Sequence, residues 1–223
     1  MDLQKNKNHV FAQVAQATKV ANRSEGSVNI IAVTKYVDSE VAAQLVATGI
    51  QHIGENRVDK FLDKYEYLKD RDLTWHLIGT LQRRKVKDVI NYVDYFHALD
   101  SVKLAAEIQK RAEHPIKCFL QVNISEEESK HGFRASEVDE ALVAISKFDN
   151  LEIMGLMTMA PIAASESEIE DIFKKTNQLR QDLHDRQIPH MPFTELSMGM
   201  SSDFELAICN GATFVRIGTS FFK

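Results

Sequence analysis

The chain has 223 residues, of which 44% are hydrophobic and 26% are charged, a balance typical of a folded globular protein rather than a disordered one. Its net charge of −5 gives no overall positive field, so neither nucleic acid nor an anionic membrane is an expected partner. No apolar run is long enough to span a bilayer, the polar start lacks the core of a secretory signal, and no Cys or His spacing fits a metal site. We therefore expect a cytoplasmic, monomeric protein with one domain over residues 1–223.

Short apolar runs alternate along the chain with amphipathic segments. The first segment, residues 3–22, is predicted to be a helix because its apolar residues recur at helical spacing. Strands are predicted at 28–35, 51–54, 74–79, 95–99, 116–123, 151–157, 194–197 and 213–217. A helix is predicted after each of the first seven strands. In chain order, the first begins at residue 38, the second ends near 68, the third begins near 82, the fourth ends near 111 and the fifth begins at 136. The last two span 166–185 and 202–209. Both cysteines, Cys118 in a strand and Cys209 on a helix, are expected in the core.

The alternation of strand and helix predicts an α/β fold with a parallel sheet and right-handed crossovers. Eight such units in a chain of this length favour a single (β/α)8 TIM barrel, with the extra N-terminal helix closing the ring beside the last strand. A doubly wound open sheet is the alternative. The absence of a G-x-G-x-x-G motif after the first strand weakens its dinucleotide-binding form.

Lys35 ends the first apolar run, where a buried strand gives way to a helix capped by Asp38. Functional groups of α/β proteins collect at the carboxyl ends of strands. A lysine with apolar neighbours at this point can lose part of its hydration and leave a fraction of neutral amine that attacks a carbonyl. The alternative is a solvated lysine that only ends the strand.

The loops after the last two strands have the composition of an anion site. Residues 197–203 are small and glycine-bearing, and they are expected to open a helix whose free N–H groups and hydroxyls suit a phosphate. Gly218 and Thr219 form a second such turn, and Arg216 brings a guanidinium to the same mouth. A reactive lysine, a phosphate cradle and an arginine in one mouth fit pyridoxal 5′-phosphate (PLP). Each residue also has a purely structural alternative. The serine at 201 or 202 is then only an N-cap, Gly218 only a turn residue, and Arg216 an ion-pair partner of Glu55 or Asp203.

At this point the sequence resembles a known family, the pyridoxal phosphate homeostasis proteins, which bind PLP and are related to the N-terminal barrel of alanine racemase. The resemblance runs from about Ile30 to the end, and W-H-x-I-G-x-L-Q followed by a basic pair is its most distinctive motif. One departure is Leu77, where Phe or Met is more usual. The motifs in chain order are IAVTKY, GENR, WHLIGTLQRRK, NISEEESKHG, GLMTMAP, SMGMSSDFELAI and VRIGTSFF.

The resemblance implies a role for individual residues. Lys35 is implied as the Schiff-base lysine, Asn56 as a residue that lines the cofactor, and Arg216 as the group that approaches the ring nitrogen. His76 is expected beneath the ring or supporting Lys35. The implied phosphate ligands are Ser201, Gly218 and Thr219.

Lys130 matches a second lysine that the resemblance connects with handing the cofactor on, and its alternative is a solvated loop charge. PLP-dependent apoenzymes are the partners that the resemblance implies.

The same residues favour a PLP carrier over an enzyme. The PLP ring withdraws electrons strongly when its nitrogen is protonated. Arg216 is permanently cationic and cannot accept a hydrogen bond from that proton, so it does not stabilise the protonated ring. In the racemases a second base comes from an additional β domain, for which this sequence has no residues after Lys223, so we expect binding without robust turnover. The alternative function is a minimal PLP-dependent amino-acid racemase or decarboxylase. An RNA-binding module around Arg83 and Arg84 is disfavoured because no aromatic platform accompanies the basic run.

Overall fold

The computed structural model of the chain describes residues 2–125, 127 and 131–223. Its strands are β1 Asn29–Val33, β2 His52–Glu55, β3 Thr74–Leu77, β4 Tyr95–Leu99, β5 Ile116–Gln121, β6 Leu151–Met157, β7 Glu195–Met200 and β8 Phe214–Ile217. Its α-helices are α1 Leu3–Val20, α2 Ser39–Ala47, α3 Val58–Leu68, α4 Val86–Val89, α5 Val102–Arg111, α6 Val138–Ile145, α7 Glu166–His184 and α8 Phe204–Cys209.

The strands form a closed parallel barrel in sequence order, and β8 pairs with β1 to complete the ring. Ile31 of β1 lies opposite Arg216 of β8 in this closing pair. The predicted (β/α)8 barrel is therefore confirmed. Because all strands run in the same direction, their carboxyl ends meet at one mouth, where functional groups of barrels are found.

Local capping signals explain where several helices begin. The carboxylate of Asp38 accepts a hydrogen bond from the N–H of Val41 at 2.9 Å and starts α2. Ser165 and Glu168 form a reciprocal capping box at the start of α7. The extra helix α1 packs beside α8, and the side-chain amide of Asn6 donates to the carbonyl oxygen of Phe221 at 2.9 Å. This contact fixes the chain after β8 against α1.

Three sequence predictions need correction, two about elements and one about burial. The helix predicted from residue 82 is broken into 3-10 turns at Arg83–Lys85 and Ile90–Tyr92 around the short α4. Strand β7 continues to Met200, so the segment predicted to open a helix is mostly strand, and α8 begins only at Phe204. Cys209 is exposed rather than buried, whereas Cys118 is buried as predicted.

Burial raises the pKa of the Cys118 thiol far above its usual range, so this side chain is an inert core group. No helix in the part of the chain that the structure describes is both long and apolar enough to cross a lipid bilayer.

Candidate functional site

A cavity of about 700 Å³ opens at the carboxyl mouth of the barrel. A volume of this size suits a small-molecule ligand. Its wall comes from the ends of strands far apart in sequence, which the closed barrel brings together. Six of the residues predicted for the cofactor site line it: Lys35, Asn56, Ser201, Arg216, Gly218 and Thr219.

Lys35 lies two residues beyond β1, and its side chain is exposed at the cavity. Its Nζ atom lies 4.8 Å from the centroid of the Tyr36 ring, within the range of a cation–π contact. The expected loss of hydration by burial is not seen. The amine is instead held at the rim, where a ligand in the cavity and solvent both reach it.

The segment that carries Lys35 is braced from behind by a buried carboxylate. The hydroxyl of Thr34 donates to Glu55 Oε1 at 2.6 Å, and Lys64 Nζ lies 2.7 Å from the same oxygen. All three side chains are buried. Since Thr34 directly precedes Lys35, this cluster fixes the backbone from which the amine projects.

Asn56 enters the cavity wall directly after β2 because the chain turns there toward α3. The loop after β3 passes so close that a Cβ atom at Gly79 would overlap the carbonyl oxygen of Asn56. Only glycine fits at this crossing. The close approach holds Asn56 beside the mouth.

Two loops meet at the opposite side of the cavity. The N–H of Gly218 donates to Ser201 Oγ at 3.3 Å and ties the loop after β8 to the loop after β7. The buried Asp203 carboxylate accepts a hydrogen bond from the N–H of Met200 at 2.6 Å, and its burial raises the pKa of that carboxyl. Together these contacts shape a wall of hydroxyl groups and backbone around Ser201 and Thr219.

Arg216 points from β8 into the top of the barrel interior and is only 4% exposed. Its Nη1 donates to Ser197 Oγ at 2.7 Å and its Nη2 donates to the carbonyl oxygen of Thr158 at 3.1 Å. Burial lowers the pKa of the guanidinium to about 10, while the charge of Asp203 opposes that shift. Arg216 is therefore a buried cation at neutral pH.

His76 is the predicted site residue that the structure places elsewhere. Its ring has no exposure and lies one layer below the mouth, between His52 and His97, with ring nitrogens 2.9 Å apart in both contacts. His76 therefore does not line the cavity, and its expected place beneath the cofactor ring or in support of Lys35 stays a prediction. Side chains in a strand alternate between the two faces, and His76 faces the closed interior two residues before the cavity wall begins at Ile78.

Sequence reasoning missed several residues of the site. Thr158, directly after β6, was not predicted, and Ser197 was predicted only as part of the anion segment and not as a partner of Arg216. Both hold the Arg216 guanidinium because the closed barrel places them beside β8. Tyr36 and Ser202 also line the cavity and had a signal, since each directly follows a predicted site residue. The second lysine, Lys130, lies outside the described residues.

Among the residues that the structure describes, no group of three or more His, Cys, Asp or Glu side chains is arranged to hold a metal ion.

Comparisons with known proteins agree with this architecture. The family model described as "Alanine racemase, N-terminal domain" matches residues 10–223. The pyridoxal phosphate homeostasis protein of Aquifex aeolicus is 39% identical, with 96% of this chain and 95% of the relative covered. The protein of the same name from Escherichia coli is 33% identical, with 99% and 96% covered.

Solved structures give the same result. PipY of Synechococcus elongatus, solved with PLP bound, is 33% identical and superposes with a TM-score of 0.83 over 94% of this chain and 100% of that chain. Alanine racemase of Corynebacterium glutamicum shares only 14% identity, with a TM-score of 0.71 over 95% of this chain and 61% of that enzyme, a likeness of fold alone. The chain belongs to the alanine racemase N-terminal domain family and, among its members, to the pyridoxal phosphate homeostasis proteins.

Proposed function

We propose that this protein binds PLP in the cavity at the barrel mouth and carries it as a Schiff base on Lys35, in the service of intracellular PLP homeostasis. The observation that supports this most is the meeting, in one cavity of about 700 Å³, of a lysine amine, a buried guanidinium and two hydroxyl-bearing loops. The names of the relatives and the PLP in PipY point to the same ligand.

PLP supplies an aldehyde that condenses reversibly with a primary amine, and a ring that withdraws electrons. Lys35 is the amine in this proposal, because it lines the cavity beyond β1. Its exposed position favours exchange: water and an incoming acceptor reach the amine without any opening of the barrel. A carrier needs that access, since it must release what it binds.

The phosphate is assigned to the loops after β7 and β8. Ser201, Gly218 and Thr219 offer two hydroxyl groups and backbone N–H groups on one side of the cavity. Hydroxyls and backbone amides are the donors that phosphate oxygens accept from in barrels, at the loops after the last strands. The hydrogen bond from Gly218 to Ser201 keeps the two loops together before any ligand arrives.

The ring is assigned to Arg216 and Asn56. An arginine has five N–H donors, and the bonds of Arg216 to Ser197 and Thr158 occupy two of them within the described residues. The remaining donors suit an unprotonated ring nitrogen, which accepts one hydrogen bond. Asn56 contributes an amide from the opposite wall.

The electrostatics of this wall support a carrier over an enzyme. None of the described residues that line the cavity is a carboxylate, and Arg216 keeps its proton at neutral pH. A ring nitrogen beside a cation stays unprotonated, which limits its ability to stabilise a carbanion. We propose that robust amino-acid turnover is therefore absent.

The first test is Lys35→Ala. The proposal expects that PLP added to this variant forms no borohydride-reducible absorbance band, whereas wild type and Lys60→Ala, an exposed lysine of α3, keep the full band. Mass spectrometry of the reduced wild-type protein is expected to place the label on the peptide that carries residue 35. An equal band in Lys35→Ala, or a label on another peptide, contradicts the assignment.

A racemase or decarboxylase is the second candidate, because Tyr36 and His131 line the same cavity and carry groups that can move a proton. Incubation of the PLP-loaded protein with L-alanine, followed by chiral analysis and amine detection, separates the two functions. The carrier proposal expects no turnover above that of free PLP.

A further inference from the structure

A continuous line of hydrogen bonds crosses the barrel interior from Arg216 to His52. Arg216 Nη1 donates to Ser197 Oγ at 2.7 Å, and that oxygen lies 2.7 Å from His97 Nδ1. His97 Nε2 then lies 2.9 Å from His76 Nδ1, and His76 Nε2 lies 2.9 Å from His52 Nδ1. We call Ser197, His97, His76 and His52 the relay. Its members come from β7, β4, β3 and β2.

The relay is enclosed by aromatic rings. Phe119 stacks on His97 with centroids 4.5 Å apart, Tyr95 stacks on His76 at 5.0 Å, and Phe214 contacts all three histidine rings. His76 and His97 have no exposure, and burial together with the neighbouring charges holds the pKa of each well below its usual range. Both rings are therefore neutral at pH 7, with one donor and one acceptor nitrogen each.

The donor arithmetic selects one direction for the relay. Arg216 can only donate, so Ser197 Oγ accepts from it and retains its own hydrogen. If that hydrogen goes to His97 Nδ1, His97 donates from Nε2 to His76 Nδ1, and His76 donates from Nε2 to His52 Nδ1. Every link then has one donor and one acceptor. In the reverse direction Ser197 Oγ accepts two hydrogen bonds, and its own hydrogen has no acceptor among the described residues.

We propose that the relay positions Arg216 in the cofactor site, an inference that rests on the function proposed above. It commits the Ser197 hydrogen to His97, so the oxygen presents a lone pair to Arg216 and holds the guanidinium with its free donors toward the cavity. Reversal of the relay turns that hydrogen away from His97 and weakens the Ser197 oxygen as an acceptor for the cation. The residues of the relay do not line the cavity, so their role is to position Arg216.

The far end of the relay reaches the opposite face of the barrel. His52 is partly buried and lines a cavity of about 840 Å³ between α1 and the amino ends of the strands. The orientation of the Arg216 guanidinium is thus tied, through Ser197, His97 and His76, to the His52 ring on the other side of the molecule. A substitution of His52 is expected to disturb the orientation of the Arg216 guanidinium less than a substitution of Ser197.

The first experiment measures tautomers and needs no cofactor. In ¹⁵N-labelled protein at pH 7.5, long-range ¹H–¹⁵N correlation spectra are expected to show His52, His76 and His97 as neutral rings with the proton on Nε2. In Ser197→Ala, His97 is expected to lose the single Nε2–H form. Phe119→Leu, which removes the ring stacked on His97 and no hydrogen bond, is expected to keep it. An Nδ1–H form at His76 or His97 in the wild type overturns the proposal.

The second experiment measures the affinity for PLP by absorbance titration. Loss of the Ser197 hydroxyl is expected to raise the Kd of PLP about tenfold, the effect of one hydrogen bond to a charged group. Ser197→Thr restores the hydroxyl and is expected to recover most of the affinity, while His52→Phe produces a smaller increase.

Equal affinities of wild type and Ser197→Ala for PLP overturn the inference alone. Failure of the wild type to bind PLP overturns the proposed function, and the tautomer spectra then still decide the direction of the relay.

Discussion

At the scale of single residues, the buried pair of Lys64 and Glu55 connects the stability of the barrel to its site. The two side chains are 2% and 0% exposed, and the carboxylate also accepts from Thr34 beside Lys35. The second oxygen, Glu55 Oε2, has no hydrogen-bond partner among the described residues. The cluster thus depends on the lysine, since a buried carboxylate that loses its counter-charge is strongly destabilising.

Lys64→Met is therefore expected to lower the free energy of unfolding by about 3–5 kcal/mol, because it leaves the Glu55 charge buried and uncompensated. Urea denaturation gives the measurement. Lys60→Met, an exposed position on the same helix, is the matched control and is expected to change stability by about 0.5 kcal/mol or less. The double variant Glu55→Gln with Lys64→Met is expected to regain part of the loss. Equal effects at Lys64 and Lys60 would contradict the role of the pair.

The site shows which residues a sequence alone can identify. Lys35 and Arg216 were predictable, because each follows or ends an apolar run and so lies near the mouth of any barrel. His76 was predicted as a site residue but does not line the cavity, because its depth in the barrel depends on the alternation and tilt of the strand. Ser197 as the partner of Arg216 depends on the β7–β8 register, which no local pattern encodes.

At the scale of elements, the end of β7 determines the shape of the mouth. Gly199 has a φ of +92°, and a Cβ atom there would lie 2.6 Å from the Cβ of Ala207 and 2.9 Å from the Cα of Phe204. The glycine thus lets β7 pass directly under α8 and deliver Ser201 to the cavity. The sequence suggested a loop here because small residues and glycine are typical of turns.

Gly199→Ala is expected to weaken PLP binding and to lower stability by more than the 1–3 kcal/mol or so of backbone strain alone, because the added methyl group also displaces α8. Gly26→Ala is the matched control, since Gly26 has a φ of +76° but nothing within 4 Å of the added Cβ atom. Thermal unfolding and PLP titration of both variants separate strain from overlap. If the two variants behave alike, the overlap with α8 is unimportant.

The strands were predicted well because short β-branched runs between turns have few alternatives. The segment after β3 was predicted less well. Its basic residues are compatible with the exposed face of a helix and equally with the 3-10 turns that the structure has there.

At the scale of the whole molecule, the barrel interior carries a polar centre whose protonation opposes folding. The pKa values of His76 and His97 are lowered in the folded state, mainly by burial, while an unfolded histidine titrates near its usual value of about 6.5. The unfolded chain therefore binds more protons than the folded one as the pH falls below that value. Their contribution to stability is fully present above about pH 6.5 and is lost as the pH falls toward the folded values.

The free energy of unfolding is thus expected to fall below pH 6.5, by up to about 1.4 kcal/mol per pH unit for each of the two histidines. Urea denaturation at pH 7.5, 6.5 and 5.5 tests this over a range in which ordinary carboxylates stay ionised. A stability that is constant or higher at pH 5.5 would contradict neutral histidines in the core.

The exposed thiol of Cys209 has a practical consequence. Of the two cysteines in the chain, Cys118 is sealed in the core, so a maleimide dye is directed to Cys209 at the end of α8. That helix is joined to Ser201 by the turn after β7, yet the thiol is not part of the cavity wall. A fluorophore attached there marks the protein at one defined position and leaves every proposed ligand-contacting group unmodified.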